Sequence, residues 1–200
     1  KLKEYRADFW KGYLVSAGAI HFTDSEVTDA IDQFLKFYYS ILQEERLELC
    51  NCLIRVIPSA KEVADFQKSG NRDERTGCVK QDLLKVAVTH LNFWKRIMES
   101  GIQIDPKFNF KGVYAKLYNL HLLGNNLLKV TVIKLFPHLI ASQNYSQGAK
   151  DRHFTNTIIR RLLTLLQREA GATTKHSPGL QGAIFEALAQ IYLDLDALRQ

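Results

Sequence analysis

The chain predicts an all-α fold of about eight amphipathic helices, stacked in antiparallel pairs. Three observations carry that reading. Apolar residues recur at helical spacing in segment after segment, helix-start and helix-stop residues punctuate them, and no stretch alternates as a half-buried strand would. Length agrees, since 200 residues suit a single domain, and a compact chain of this size buries roughly 70% of its unfolded surface.

The first helix is expected near 4–19, with Trp10 as a core anchor. The link at 20–23 is short, so the next helix, near 24–42, folds back against the first. Thr23 with Glu26 three residues on forms a capping box. Val27, Ile31, Phe34, Leu35, Tyr38 and Ile41 or Leu42 then line its buried face. Phe37-Tyr38-Tyr39 is wider than one stripe, so one of the three rings should face a groove or a missing neighbour. A helix near 43–57 follows, and Ser59-Ala60-Lys61-Glu62 is able to cap a further short one. The charged, glycine-flanked stretch at about 69–78 reads as an exposed loop.

Near 79–100 the rhythm returns in Leu84, Ala87, Leu91, Trp94 and Met98, with Trp94 a second core anchor, and Gly101 supplies the left-handed residue that closes such a helix. Helices near 109–123 and 125–141 meet at Gly124–Asn125, and Pro137 inside the second removes one intrahelical bond and should kink it. Helices near 151–170 and 178–199 complete the set. In the last of them Leu180, Ile184, Leu188, Ile191, Leu195 and Leu198 make one stripe, with Ser177 placed to cap it and Pro178 where its missing N–H costs nothing. The start at Lys1 and a final helix running into Gln200 make 1–200 read as one helical domain that is a piece of a longer chain.

Charge is unevenly spread. Residues 1–100 hold 15 basic and 15 acidic residues, whereas residues 101–200 hold 12 and 6, so the whole net charge of +6 lies in the second half. Between Lys107 and Arg168 ten lysines and arginines face Asp151 alone. They either solvate the outer faces of three helices or form an electropositive surface that steers an acidic partner. On the second reading the candidate partner-binding residues are Lys129, Lys134, Lys150, Arg152, Arg160, Arg161 and Arg168. Arginine is the stronger candidate because its fork matches a carboxylate. An acidic protein leads as partner. Nucleic acid comes second, because few aromatics interleave with the basic residues to stack bases.

Reactive chemistry has little to stand on. The chain contains no phosphate-cradling glycine loop, no H-E-x-x-H, no paired C-x-x-C and no nucleophile elbow. Cys50 and Cys52 sit two apart, the wrong spacing for a zinc knuckle and too close along a helix to bridge, and Cys78 makes the count odd. This suits a reducing setting, cytoplasmic first and nuclear second. Asp194-Leu195-Asp196 completes a helix stripe rather than opening a calcium loop. His21, His90, His121, His138, His153 and His176 are scattered and expected to be capped or solvated residues rather than ligands. No apolar run reaches the ~18 residues of a membrane span, and no cofactor, metal or enzymatic activity is expected.

Helix starts follow one another without a fixed period, which disfavours strict tetratricopeptide or ankyrin arrays. Irregular two-helix repeats of the HEAT or armadillo type tolerate such spacing, so the fold expected is a right-handed α-solenoid fragment that binds protein through its surface and through neighbouring repeats. One stretch is more specific. Tyr5-Arg6, then Gly12-Tyr13-Leu14-Val15-Ser16-Ala17-Gly18-Ala19-Ile20, then a helix ending in Phe34-Leu35-Lys36-Phe37-Tyr38 resembles the opening of the C-terminal helical region of tubulin-folding cofactor D. Leu83-Leu84-Lys85 and Arg160-Arg161-Leu162-Leu163-Thr164-Leu165-Leu166 follow in a compatible order, while Ala19 replaces a glycine and 60–77 looks like an insertion. The resemblance implies a chaperone role, with β-tubulin held and the αβ heterodimer assembled or dismantled alongside other cofactors and a small Arf-like GTPase. It carries over no catalytic residue.

Overall fold

The computed structural model describes residues 8–10, 12–13, 24–69, 82–123, 125–147, 152–171 and 178–197. Among them the regular structure is entirely helical: α1 (Asp24–Ser40), α2 (Gln43–Val56), α3 (Ala60–Ser69), α4 (Leu83–Glu99), α5 (Phe110–Leu123), α6 (Asn126–Gln147), α7 (Arg152–Gly171) and α8 (Pro178–Ala197). Residues 8–10 and 12–13 are helical as well. The all-α class expected from periodicity is what the chain adopts. The rest of the 4–19 helix, the Thr23 and Ser177 caps, the link at 20–23, and the 69–78 loop beyond Ser69 lie outside the described residues.

Local chemistry sets the helix starts. Ser59 and Glu62 close a capping box around α3, with the Ser59 N–H donating to Glu62 Oε2 at 2.7 Å and the Glu62 N–H donating to Ser59 Oγ at 3.2 Å. Hydrogen bonding from the Ser59 hydroxyl, and then from the Ser59 backbone N–H, holds the Glu62 carboxyl below its ordinary range. Asp82 caps α4 by accepting from the Leu84 and Lys85 N–H groups at 3.0 and 3.2 Å. That cap corrects the expected start at Val79, because apolar phase continues through Val79 but the Asp82 carboxylate takes the first-turn donors. Asn109 and Asn125 do the same for α5 and α6, accepting from Gly112 and Leu128 at 2.9 Å each. A Cβ at Gly112 would run into the Asn109 amide, so a side chain there would have to displace that cap. At the far end of α4, Gly101 takes φ of 73° and its N–H donates to the Met98 carbonyl at 3.2 Å, the left-handed stop expected.

Helix α6 is the centre of the arrangement. Leu128, Val132, Ile133, Leu135, Phe136, Leu139 and Ile140 are all buried, so it is apolar nearly all round, as a helix enclosed by others must be. Pro137 lies inside it as expected. The helix runs on to Gln147, past the anticipated end at 141, because its last turns bury Ser142 and Gln143, whose polarity hid them from the apolar pattern. Its main neighbours are α8, α4 and α5. Helices α1, α4, α6 and α8 thus stack as one row, and α3 and α5 pack on each other beside it, with α7 against α6 and α8.

Trp10 and Trp94 are both core anchors, at 6% and 1% exposure. Trp10 meets Phe34 edge-on at 5.1 Å and Phe93 at 6.1 Å, which fastens the N-terminal helical residues to α1 and α4. Of the three adjoining rings, Tyr38 is buried, Phe37 half-buried and Tyr39 exposed, so Tyr39 is the ring turned outward.

On α8, Leu180, Ile184, Leu188 and Ile191 are buried as the stripe requires, while Leu195 and Leu198 have no described side chain. Truncating Leu188→Ala is expected to cost about 2–5 kcal/mol through lost transfer energy and a cavity. Urea midpoints of variant and parent that coincide would show that α8 does not pack on α6.

Two sequence expectations are corrected here. His90 and His121, anticipated as capped or solvated, are buried at 0% and 3% exposure. Burial depresses both imidazoles to about 4, so they sit neutral in the core. Lys116, counted among ten surface cations, is half-buried, and its Nζ donates to the Ile54 carbonyl at 2.8 Å in the last turn of α2. It is a C-terminal helix cap, where a cation suits the dipole.

Candidate protein-binding surface

Helices α5, α6 and α7 carry eight lysines and arginines against Glu169 alone. Placed in three dimensions, these charges divide. Lys134 Nζ sits 3.0 Å from Glu186 Oε2 on α8, so its charge is met within the fold. Lys129 is half-buried beside His121, whose imidazole is hydrogen-bonded to its backbone. Arg152, Arg160, Arg161 and Arg168 are exposed along α7, and Lys150 lies outside the described residues. The six described residues of the predicted seven therefore sit in different settings.

Two of them share a face. Arg161 and Arg168 are seven residues apart, which in an α-helix returns to nearly the same side about 10 Å further along. Arg160 points about 100° away. The Arg161 guanidinium lies over the Tyr118 ring, 5.3 Å from its centroid, a cation–π arrangement that holds the guanidinium plane in place.

Tyr118 belongs to a strip on α5 that the sequence reading missed. Tyr114, Tyr118 and Leu122 follow at steps of four, beside the buried stripe of Val113, Leu117 and Leu120. Tyr114 is tucked in, edge-on to Phe154 of α7 at 5.8 Å and tilted to Phe136 of α6 at 5.2 Å. Burial pushes its hydroxyl up to about 12, with Tyr118 adding to the shift and Arg161 opposing it. Tyr118 is half-buried and stacks with His121 at 6.3 Å, and Leu122 is 47% exposed. The contacts Tyr114–Phe154 and Tyr118–Arg161 advance together along both helices, so α5 and α7 run in the same direction where these side chains meet. The signal for this strip was present as a second apolar face on α5, although its pairing with Arg161 is tertiary.

A polar cleft of about 340 Å³ opens elsewhere, between the end of α1, the start of α2 and residues 103–106. Its groups serve one another. Arg46 donates to the Tyr39 and Ile41 carbonyls at 3.1 Å each and lies over the Tyr38 and Tyr39 rings. Gln43 Nε2 donates to Asp105 Oδ2 at 3.3 Å, and the Tyr38 hydroxyl to the Gln103 carbonyl at 2.8 Å. These bonds make it a junction that fixes the α1–α2 corner. Cys50, buried beneath it, has its thiol pushed up to about 12 by burial, which makes it inert. Among the described residues no group of three or more histidines, cysteines or acids could hold a metal ion, and no helix is long and apolar enough to cross a membrane. Asp194 lies within α8 and accepts from Gln190, as a helical residue would.

A family model described as the TBCD C-terminal domain matches residues 1–200. The chain belongs to that family. No curated protein and no solved structure matches it. The resemblance read from the N-terminal hairpin thus extends along all 200 residues of the chain, including the stretch at 60–77 that looks like an insertion. Tubulin-folding cofactor D is a chaperone-cofactor family, and this TBCD C-terminal domain is a helical scaffold related to it.

Proposed function

We propose that this TBCD C-terminal domain is a non-enzymatic, right-handed HEAT-like scaffold that binds β-tubulin in the cytoplasm, as part of a cofactor that assembles or dismantles the αβ heterodimer. The observation that carries the reading is the family match across all 200 residues, falling on a chain built from helices. The repeat-like stacking of alternate helices supports the HEAT-like part of it. The positive charge concentrated on α5 to α7 supports an acidic partner, which it would attract at long range.

The test is capture of purified tubulin by the immobilised chain. Retention of tubulin that weakens moderately with salt is expected. A failure to retain tubulin at low salt would overturn the reading. Binding to duplex DNA with a steep log–log salt slope would point instead to phosphate-backbone contacts.

A further inference from the structure

Resting on that reading, we propose that the strip formed by Tyr118 and Leu122 of α5 with Arg161 and Arg168 of α7 is a docking seat for an acidic peptide segment. That segment carries an apolar side chain between two carboxylates about 10 Å apart, which matches the rise of two helical turns between the arginines.

Charge complementarity selects the occupant. Across α5, α6 and α7 the one acid is Glu169, and of the cations there Lys116 and Lys134 are already engaged, on the Ile54 carbonyl and Glu186. Arg161 and Arg168 remain exposed on a common side of α7. Stacking on Tyr118 fixes the Arg161 plane before binding, so its N–H edge can meet a carboxylate bidentately with little ordering cost. Tyrosine and arginine together are the residue types that dominate binding at interface centres. Leu122, nearly half exposed one turn beyond Tyr118, gives the apolar side chain its contact. A nucleic-acid strand fits less well, because the Tyr118 ring is already stacked with Arg161 and His121 and Tyr114 is tucked against Phe136 and Phe154. These rings do not present the open faces on which bases stack.

The test uses the 200-residue chain and two labelled synthetic peptides, one of glutamates with a central phenylalanine and one of glutamates alone. Reversing Arg161→Glu and Arg168→Glu together should weaken both peptides by about tenfold or more. The charge-matched pair Lys36→Glu and Lys85→Glu, on α1 and α4, should change little beyond long-range steering. Arg161→Lys keeps the charge but loses the planar fork, and should give a partial loss. Leu122→Ala should remove the advantage of the phenylalanine peptide without touching the all-glutamate one.

Equal losses from the two double variants would overturn the seat in favour of diffuse charge. So would an oligonucleotide of equal charge that binds as tightly and ignores Leu122→Ala. Tubulin capture separates the two proposals. An unmodified chain that binds peptide but not tubulin retains the seat and loses the scaffold reading. An arginine-reversed chain that loses peptide but captures tubulin normally retains the scaffold and overturns the seat.

Discussion

Replacing Phe34 with alanine is expected to destabilise the chain by about 3–5 kcal/mol, the range for deleting a fully buried aromatic ring. Phe34 is completely buried on α1 and joins three other rings: Trp10 at 5.1 Å, Phe93 of α4 at 5.4 Å and Tyr38 at 6.0 Å. The edge-on contacts with Trp10 and Phe93 add to simple area burial. Alanine would leave a cavity walled by stiff rings that cannot collapse into it. With typical stabilities of about 5–15 kcal/mol, the variant would sit close to its unfolding threshold. Urea titration followed by circular dichroism measures this, and a loss below about 1 kcal/mol would mean that α1 is not held to α4 by this cluster.

The second large effect concerns acid. His90 and His121 have their pKa lowered from 6.5 to about 4, chiefly by burial, with the charges of Lys116 and Lys129 adding to it. Above pH 6.5 folded and unfolded chains both hold these imidazoles neutral, and the stability they allow is fully present. As pH falls from 6.5 towards 4, only the unfolded chain takes up protons, so stability drops throughout that window. At about 1.4 kcal/mol per pKa unit, each histidine should account for about 3 kcal/mol of the loss.

His138 has its pKa lowered too and acts in the same direction, while the depressed Glu62 carboxyl adds its loss only below its ordinary range near 4.5. Replacing His90 and His121 with leucine should therefore flatten the profile between pH 6.5 and 4. At neutral pH the His90 replacement should change little, since neither His90 nitrogen has a hydrogen-bond partner among the described residues, whereas the His121 replacement gives up its bond to the Lys129 backbone. A double variant whose midpoint falls with pH as steeply as the parent's would show that other groups drive the acid transition.

Residue by residue, helical phase explains what was readable beforehand. The Leu180–Ile191 stripe and the Ala87–Leu91–Trp94 stripe were visible because one-sided burial imposes a period on the chain. Phase alone would also have placed His90 and His121 inside. His90 stands three after Ala87 and four before Trp94, and His121 four after Leu117. Residue type argues against that placement, although a neutral imidazole is less costly to bury than a charged one. The ends of α4 and α6 escaped for a different reason, since side-chain caps and buried amides carry no apolar signal.

The candidate surface was only half legible. Net charge singled out α5, α6 and α7, but whether a lysine meets Ile54, Glu186 or solvent depends on contacts between residues tens of positions apart. Arg161 and Arg168 could be paired by spacing. Their partnership with Tyr118 required the fold.

The central position of α6 has a mechanical corollary. Solenoids whose units touch only their immediate neighbours can fray from an end or melt in stages. Here one helix packs against α4 and α5 on its N-terminal side and α7 and α8 on its C-terminal side, so neither half can come apart without baring buried residues such as Val132, Phe136 and Leu139 to water. The two halves are therefore bound into a single cooperative unit, in which an insult at Phe34 or at Leu188 is felt by the whole chain rather than by its own end.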